Sequence, residues 1–273
     1  WPRAERFTYY VLFPAMLVFK LGQARLPPSA YGDTAMLIVA MLLAMTLVLV
    51  AAQWLWGWSG PVFSSVYQGA IRFNSYVGLA AGGMLLGDDG LSLTAIAVAI
   101  MVPLLNLLCI LMFALVAGRE RINLAAVIRA IVTNPLIVGS VIGVLWSYFQ
   151  VGFHPLLAGI LEPLSNLALP MGLMCVGAGL QLSALRGGSV PFIVSSALKL
   201  VAFPLMTAGL AWMLGLEGLL VQVAVLLAAL PTATSAYILA RQLGGDAPLM
   251  AGIISGQTLL AMVSIPVLLS LLW

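Results

Sequence analysis

The feature that most constrains this chain is a succession of long apolar stretches with very little sequence between them. Nine stretches are apolar enough to span a membrane, and they cover residues 7–21, 34–56, 63–87, 91–117, 127–149, 156–181, 189–214, 218–243 and 247–272. A helix needs roughly 20 apolar residues to cross about 30 Å of hydrocarbon. Strands of a membrane barrel would be shorter and would alternate in polarity. The pattern therefore predicts an all-α polytopic membrane protein with nine spans.

The composition agrees with this interpretation and excludes several classes of protein. Hydrophobic residues make up 63% of the 273 residues, charged residues make up 7%, and the mean hydropathy is +1.16. A soluble domain is typically about one quarter charged. A soluble enzyme, a nucleic-acid-binding protein and a disordered chain are therefore excluded. Cys109 and Cys175 lie inside apolar stretches and indicate neither a disulfide framework nor a metal site.

The distribution of cations predicts the orientation in the membrane. If the stretches alternate in direction, Lys20 and Arg25 lie on one side, and seven arginines lie on the other: Arg3, Arg6, Arg119, Arg121, Arg129, Arg186 and Arg241. Loops rich in Lys and Arg stay in the cytoplasm. We therefore expect an integral protein of the bacterial inner membrane, with the Arg-rich loop 118–130 cytoplasmic and the C-terminus at Trp273 outside. Tryptophans near span ends fit an interfacial belt.

A constant offset along the chain predicts an internal repeat. Pro14 and Pro170 are 156 residues apart, and Gly87 and Gly244 are 157 residues apart. The same shift superimposes the stretch 91–117 on 247–272, and it pairs four spans in all. Helices broken at corresponding places in two halves of a chain are typical of secondary transporters.

The fifth pair of the repeat is incomplete. The stretch 127–149 would need a partner upstream of Trp1, so we expect that the first helix of a ten-helix arrangement is absent from this chain. Five spans per repeat is an odd number, so the second repeat must be inverted relative to the first.

Several short motifs lie in a fixed order along the nine stretches. They are Tyr10-Val11-Leu12-Phe13-Pro14, Phe73-Asn74-Ser75-Tyr76-Val77-Gly78-Leu79, Thr133-Asn134-Pro135 with Gly143, Pro170-Met171-Gly172-Leu173 with Gly177, Lys199 with Pro204, and Leu230-Pro231-Thr232-Ala233. In these motifs and their spacing the chain resembles the auxin efflux carrier family of membrane transporters. That family includes malonate-type carriers and is distantly related to the bile-acid sodium symporters.

The resemblance implies two inverted five-helix repeats that form two domains and operate as an elevator, usually in a homodimer. The scaffold domain would be 1–30 with 119–186, and the transport domain would be 31–118 with 187–273. The resemblance also places a crossover of broken helices near 74–80 and 231–235. Family members commonly have a proline in the first crossover, where this chain has Ala80.

Polar residues at the predicted crossover are suited to an organic anion. Pro231 removes a backbone donor from the middle of a span and frees a carbonyl one turn earlier, and such groups need a polar partner or a cavity. Helix N-termini at a break carry partial positive charge. We therefore predict a substrate site formed by Asn74, Ser75, Pro231, Thr232, Thr234 and Ser235. The alternative is that the hydroxyls bond within their own helices and that Asn74 bridges helices.

Two cations are candidates for coupling or charge compensation. Lys199 lies near the centre of its span, where an ammonium is costly unless it is paired or hydrated. It would cancel substrate charge, pair with an acid or accept a coupling proton; the alternative is a lysine that reaches an interface or caps carbonyls. Arg72 lies two residues before Asn74 and is either part of the site or a cytoplasmic anchor.

Asn106, Gln257 and Thr258 are polar residues within spans that the repeat pairs. They would form a cation site or act as interhelical hydrogen-bonding groups, and the second interpretation is favoured. Glu162 and His154 are expected at the outer surface. Gly139 and Gly143 form a small-residue face that permits close helix packing, and packing within one protomer is favoured over a dimer contact.

The sequence thus predicts a secondary active transporter of a small carboxylate, driven by a proton or sodium gradient, with no cofactor and no metal. The alternative in the same class is a sodium-coupled symporter of bile-acid-type anions. A channel and an intramembrane enzyme are alternatives of other classes. An enzyme is disfavoured because the acids lie at span ends and His154 has no acid nearby in the sequence.

Overall fold

The computed structural model describes residues 1–24, 28–117, 129, 132–178 and 189–272, with backbone alone for 2, 28–30, 117 and 272. These residues form an all-helical protein without strands. Arg25, Arg119, Arg121, Arg186 and Trp273, which entered the prediction of orientation, lie outside the described residues.

The helices of the first half of the chain are interrupted at three places. They are α1 (Pro2–Phe7), a π-helical turn (Thr8–Leu12), α2 (Phe13–Gln23), α3 (Pro28–Trp56), α4 (Gly60–Ile71) and α5 (Ser75–Ala117). Residues 72–74 separate α4 from α5. Within α5 the direction changes at Gly87, whose φ of 71° and ψ of −165° are not helical. Glycine adopts this conformation without a steric penalty.

The second half of the chain has the same all-helical character. Its helices are α6 (Pro135–Tyr148), α7 (Pro155–Ala178), α8 (Val190–Ala197), a second π-helical turn (Leu198–Ala202), α9 (Phe203–Met213), α10 (Leu219–Ala229), α11 (Ser235–Leu243) and α12 (Ala247–Leu272). Each π-helical turn ends directly before a Phe-Pro pair. A wider turn accommodates the missing N–H and the bulk of the proline ring.

The apolar helices are long enough for a membrane protein. Five helical stretches of the described residues have the length and composition of membrane spans: Tyr31–Trp56, Gly60–Val116, Pro155–Ala178, Val190–Met213 and Ala247–Leu271. Large apolar side chains such as Leu47, Trp54 and Leu115 are exposed, as expected for surfaces that face lipid. A polytopic membrane protein is thereby confirmed. The count of nine spans and the inverted repeat stay predictions.

The chain divides into two compact units. Unit 1 contains the described residues within 1–33, 75–103 and 124–179, and unit 2 contains those within 34–74, 104–123 and 180–273. The residues of each unit contact one another more than they contact the rest of the described chain. The predicted scaffold and transport domains concern movement instead, and that assignment stays a prediction.

Unit 1 is built around the packing of α2 against α6. A Cβ added at Gly139 would lie 3.0 Å from the Cα of Pro14, and one at Gly143 would lie 2.7 Å from the carbonyl oxygen of Leu17. The side chain of Asn134 caps α6 by accepting a hydrogen bond from the N–H of Leu136 at 3.0 Å. The predicted packing of the small-residue face within one protomer is confirmed.

Unit 2 has a core that contains many buried polar groups. Ser195 Oγ donates to the carbonyl of Val66 at 3.2 Å and so links α8 to α4. Ser65 Oγ donates to the carbonyl of Asp246 at 3.1 Å, at the beginning of α12. Polar groups buried in apolar surroundings must be paired, so these bonds fix the register of the helices around α4.

Candidate functional site

Two interrupted helices lie in unit 2, and each interruption exposes backbone groups. The helix α4 ends at Ile71, and Arg72 is extended with φ −75° and ψ 158°. The helix α10 ends at Ala229, and Leu230 is extended with φ −69° and ψ 149°. The last carbonyls of a helix have no partner within that helix. Both interruptions therefore need partners from elsewhere.

The two interruptions are joined by main-chain and side-chain hydrogen bonds. The backbone N–H of Asn74 donates to the carbonyl oxygen of Pro231 at 2.8 Å. Thr232 Oγ1 donates to the carbonyl oxygen of Gln68, in the last turn of α4, at 3.3 Å. Asn74 is 5% exposed and Thr232 is fully buried. The first interruption thus contacts the second directly, within one unit.

The position of the first interruption differs from the predicted interval 74–80. Residues 72–74 are non-helical, the helix resumes at Ser75, and Ala80 lies within it. Alanine has the highest helix propensity of the residues, so the chain continues as a helix where a proline would have broken it. The second interruption extends from Leu230 to Thr234.

Gln257 on α12 bonds to both interruptions. Its Oε1 accepts a hydrogen bond from the N–H of Thr232 at 3.0 Å, and its Nε2 donates to the carbonyl of Gly69 at 3.0 Å. The residue is fully buried. This arrangement favours the interhelical interpretation over a cation site, because both ends of the amide are engaged.

Arg72 places a full positive charge beside the second interruption. Its Nη1 donates to Asn106 Oδ1 at 3.1 Å, and its Nη2 donates to Ser235 Oγ at 3.2 Å. Ser235 is the first residue of α11, whose N-terminus has no side-chain cap. Among the described residues, Lys20 with Asp88 is the one salt bridge within 4.0 Å. Arg72 therefore has no carboxylate partner in that part of the chain.

Lys199 lies in the second π-helical turn and is completely buried. Its Nζ lies 4.7 Å from the centroid of the Phe203 ring and has no hydrogen-bond partner within the described residues. A cation over an aromatic face gains about 0.5–2 kcal/mol, which does not replace the lost hydration. Whether Lys199 takes part in coupling or charge compensation stays a prediction.

The other predicted residues lie outside this hydrogen-bonded group. Thr258 Oγ1 donates to the carbonyl of Ile254 in its own helix at 2.7 Å. Thr234 is half-buried in the turn before α11, and Ser75 is half-buried at the beginning of α5, in unit 1. Glu162 and His154 are exposed, and the side of the membrane on which they lie stays a prediction.

The sequence analysis did not identify Gln68 and Gly69, which accept hydrogen bonds through their main-chain carbonyls. A carbonyl carries no residue-specific signal, because every residue has one. The polar side chain of Gln68 in an apolar helix would have been a signal, since its amide is also fully buried.

Comparison with known proteins supports the transporter interpretation. Residues 77–269 match the family model described as membrane transport protein. An uncharacterised transporter of Methanothermobacter thermautotrophicus is 27% identical over 268 residues, which cover 96% of this chain and 86% of the relative. The auxin efflux carrier component 3a of Oryza sativa subsp. japonica is 30% identical over 128 residues, which cover 45% of this chain and 21% of the relative.

The matched region includes Lys199, Gln257 and the second interruption, and it begins three residues after Asn74. Because the family model covers most of the chain and both relatives are named as transporters or carriers, a transporter is indicated and an enzyme is not. The resemblance stated from the motifs is confirmed, and the chain belongs to the membrane transport protein family, of the auxin efflux carrier type.

Proposed function

We propose that this protein is a secondary active transporter of a small carboxylate and that the substrate binds at the crossing of the two interruptions in unit 2. The observation that carries the proposal is the hydrogen bond from the Asn74 N–H to the Pro231 carbonyl, at 2.8 Å. It brings the end of α4 to the beginning of α11, where Arg72 reaches Ser235. A mid-membrane site with a cation and a helix N-terminus is suited to an anion.

The charge balance of the site supports an anionic substrate. Arg72 has no carboxylate within salt-bridge distance among the described residues. An arginine side chain presents a planar array of donors that matches a carboxylate. Asn106 and Ser235 occupy two of these donors with neutral oxygens, which orients the guanidinium without neutralising it.

The positions of the helix breaks support an inverted-repeat carrier. The interruptions at 72–74 and 230–234 are separated by nearly the same offset as Gly87 and Gly244, both of which have positive φ. As the family resemblance implies, we further propose that transport is an elevator movement of 31–118 and 187–273 against 1–30 and 119–186, in a homodimer formed through the scaffold. An ion gradient drives the movement.

Uptake of labelled mono- and dicarboxylates into proteoliposomes tests this function. We expect saturable uptake that depends on an imposed proton or sodium gradient. Dependence on sodium alone, with bile-acid-type anions as the better substrates, would favour the alternative symporter. An absence of uptake under either gradient contradicts the proposal, and unsaturable flux would indicate a channel.

The site itself is tested by ligand-induced thermal stabilisation, because a ligand that binds the folded state raises its apparent stability. A carboxylate that stabilises the wild type should no longer do so in Asn74→Ala, Thr232→Ala or Arg72→Gln. Ser270→Ala is the control, since Ser270 Oγ bonds to Val267 in its own exposed turn. A retained shift in all three site variants would place the substrate elsewhere.

A further inference from the structure

A single buried side chain on α12 connects the two interruptions of unit 2. Gln257 is fully buried in the middle of the helix. Its Oε1 accepts from the Thr232 N–H and its Nε2 donates to the Gly69 carbonyl, each at 3.0 Å. A side-chain amide carries both an acceptor oxygen and a donor nitrogen. In Gln257 the oxygen bonds to the segment between α10 and α11, and the nitrogen bonds to the end of α4.

Both of these backbone groups are left without helical partners by the interruptions. Gly69 lies within the last four residues of α4, where the helix ends before it can supply an N–H to each carbonyl; the Arg72 N–H donates to the carbonyl of Gln68 instead of that of Gly69. Thr232 lies between α10 and α11, where the chain is not helical. In a membrane interior an unpaired backbone group costs several kcal/mol, so the amide of Gln257 satisfies one donor and one acceptor that water does not reach.

The surroundings of Gly69 keep this contact short. A Cβ at this position would collide with Ser195 Oγ of α8 and would lie 2.7 Å from Ile253 of α12. Only a residue without a side chain allows α4 to approach both helices this closely. The close approach of α4 to α12 at Gly69 therefore brings the Gly69 carbonyl within hydrogen-bond distance of the Gln257 amide.

We propose that Gln257 is a positioning residue for substrate binding: through Thr232 and Gly69 it holds both interruptions in the geometry that the anion requires. The inference rests on the proposed function. Gln257 itself touches main-chain atoms of the protein and acts on the substrate through them. Its role differs from that of a residue that only joins helices, because it determines where the Thr232 backbone and the end of α4 present their polar groups.

Two substitutions separate positioning from simple stability. Gln257→Leu removes both hydrogen bonds, and we expect the KM for the carboxylate to rise about tenfold or more, with a smaller change in the maximal rate per folded transporter. Gln257→Glu keeps the acceptor for Thr232 but has the donor for Gly69 only when its carboxyl is protonated, because an ionised carboxyl accepts only.

The protonated form of that variant therefore imitates the amide. Burial disfavours the ionised carboxylate, so at about pH 5 we expect the ratio of the KM of Gln257→Glu to that of wild type to lie near one, while the same ratio for Gln257→Leu stays at about ten or more. Taking the ratio to wild type removes the pH dependence of the driving force. Ser270→Ala on the same helix serves as the control for substitution in α12.

The outcomes distinguish this inference from the proposed function. Failure of the wild type to transport carboxylates contradicts the proposed function. A transporting wild type with an unchanged KM in Gln257→Leu, or a correctly folded Gln257→Glu whose KM at about pH 5 is as high as that of Gln257→Leu, overturns the positioning role and leaves the site itself in place.

Discussion

At the scale of single residues, Lys199 places a basic side chain in the apolar interior of unit 2. It is completely buried, it lies over Phe203 at 4.7 Å, and no described residue accepts a hydrogen bond from it. An unpaired buried polar group carries a desolvation penalty, and replacing it by an apolar side chain removes that penalty. Ionisable residues are kept within membrane spans mainly where function requires them. Stability and transport should therefore respond in opposite directions to its loss.

We expect Lys199→Met to raise the free energy of unfolding of the purified protein by about 1–3 kcal/mol, and therefore to raise its melting temperature. We expect the same substitution to reduce carboxylate transport strongly. Lys20→Met is the matched control, because Lys20 is 27% exposed and pairs with the exposed Asp88; its loss should cost at most about 1 kcal/mol. Melting curves in detergent and uptake assays measure the two effects. Lower stability together with unimpaired uptake in Lys199→Met would contradict a functional role for the ammonium.

The side chains of the site were predictable, whereas their partners were not. Asn106 and Gln257 were named because they are polar residues within spans, and Arg72, Thr232 and Ser235 because they lie at or beside the predicted crossover. Nothing in the sequence indicates that Thr232 Oγ1 donates to the Gln68 carbonyl, since every residue has a main-chain carbonyl and the acceptor therefore leaves no trace in the residue type. Thr258 bonds to its own helix instead of to the interruptions. This was not predictable either, because the position of a polar residue in a span does not show the direction in which its side chain points.

At the scale of helices, the contact between α2 and α6 depends on two residues without side chains. Gly143 lies where a Cβ would be 2.7 Å from the Leu17 carbonyl and 2.8 Å from Leu21 Cβ. Close approach of this kind is a common means of association between membrane helices. A shift of α2 away from Gly143 would also separate it from Gly139 and so weaken the packing there.

We expect Gly143→Ala to destabilise the protein by about 1–3 kcal/mol, the range for overpacking a close contact. Gly159→Ala in α7 is the control, because an added Cβ at that position meets nothing within 4 Å and alanine favours a helix by about 1 kcal/mol. Thermal melting in detergent compares the two variants. Equal melting temperatures for both variants would contradict the prediction, because they would show that α2 and α6 accommodate a methyl group at Gly143 without loss of stability.

The boundaries of helices were predicted unevenly. Pro14 and Pro204 signalled irregularity, yet the π-helical turns before them were not predicted, because periodicity alone does not distinguish a wide turn from a regular one. The interruption after Ile71 begins earlier than the interval that the resemblance indicated, since nothing at Ala80 breaks a helix. Pro231 gave the better signal, because a proline in mid-span leaves the backbone few alternatives.

At the scale of the whole molecule, composition determined the class of protein. Apolar stretches too long for a soluble core predicted an all-helical membrane protein, and the family match confirms a transporter. The orientation rests on a count of arginines and lysines, and four of these arginines, Arg25, Arg119, Arg121 and Arg186, lie outside the described residues. It needs a test that does not depend on those positions.

We expect a cysteine at position 154, introduced as His154→Cys, to react in intact cells with a membrane-impermeant maleimide. Ser59→Cys should react only after permeabilisation, because the predicted orientation places this loop in the cytoplasm. Both positions are exposed, and the native Cys109 and Cys175 are buried, which keeps the background low. The reverse labelling pattern would invert the topology.

The hydrogen bond between Asn74 and Pro231 connects main-chain atoms at both ends. Replacing either side chain leaves the donor and the acceptor in place, and proline at position 74 is the exception because it has no N–H. This one bond of the crossing, unlike those made by the side chains of Thr232 and Gln257, is thus independent of the side chains that would recognise a substrate. A substitution of the Asn74 side chain that alters selectivity during evolution would therefore leave this main-chain contact between the two interruptions in place.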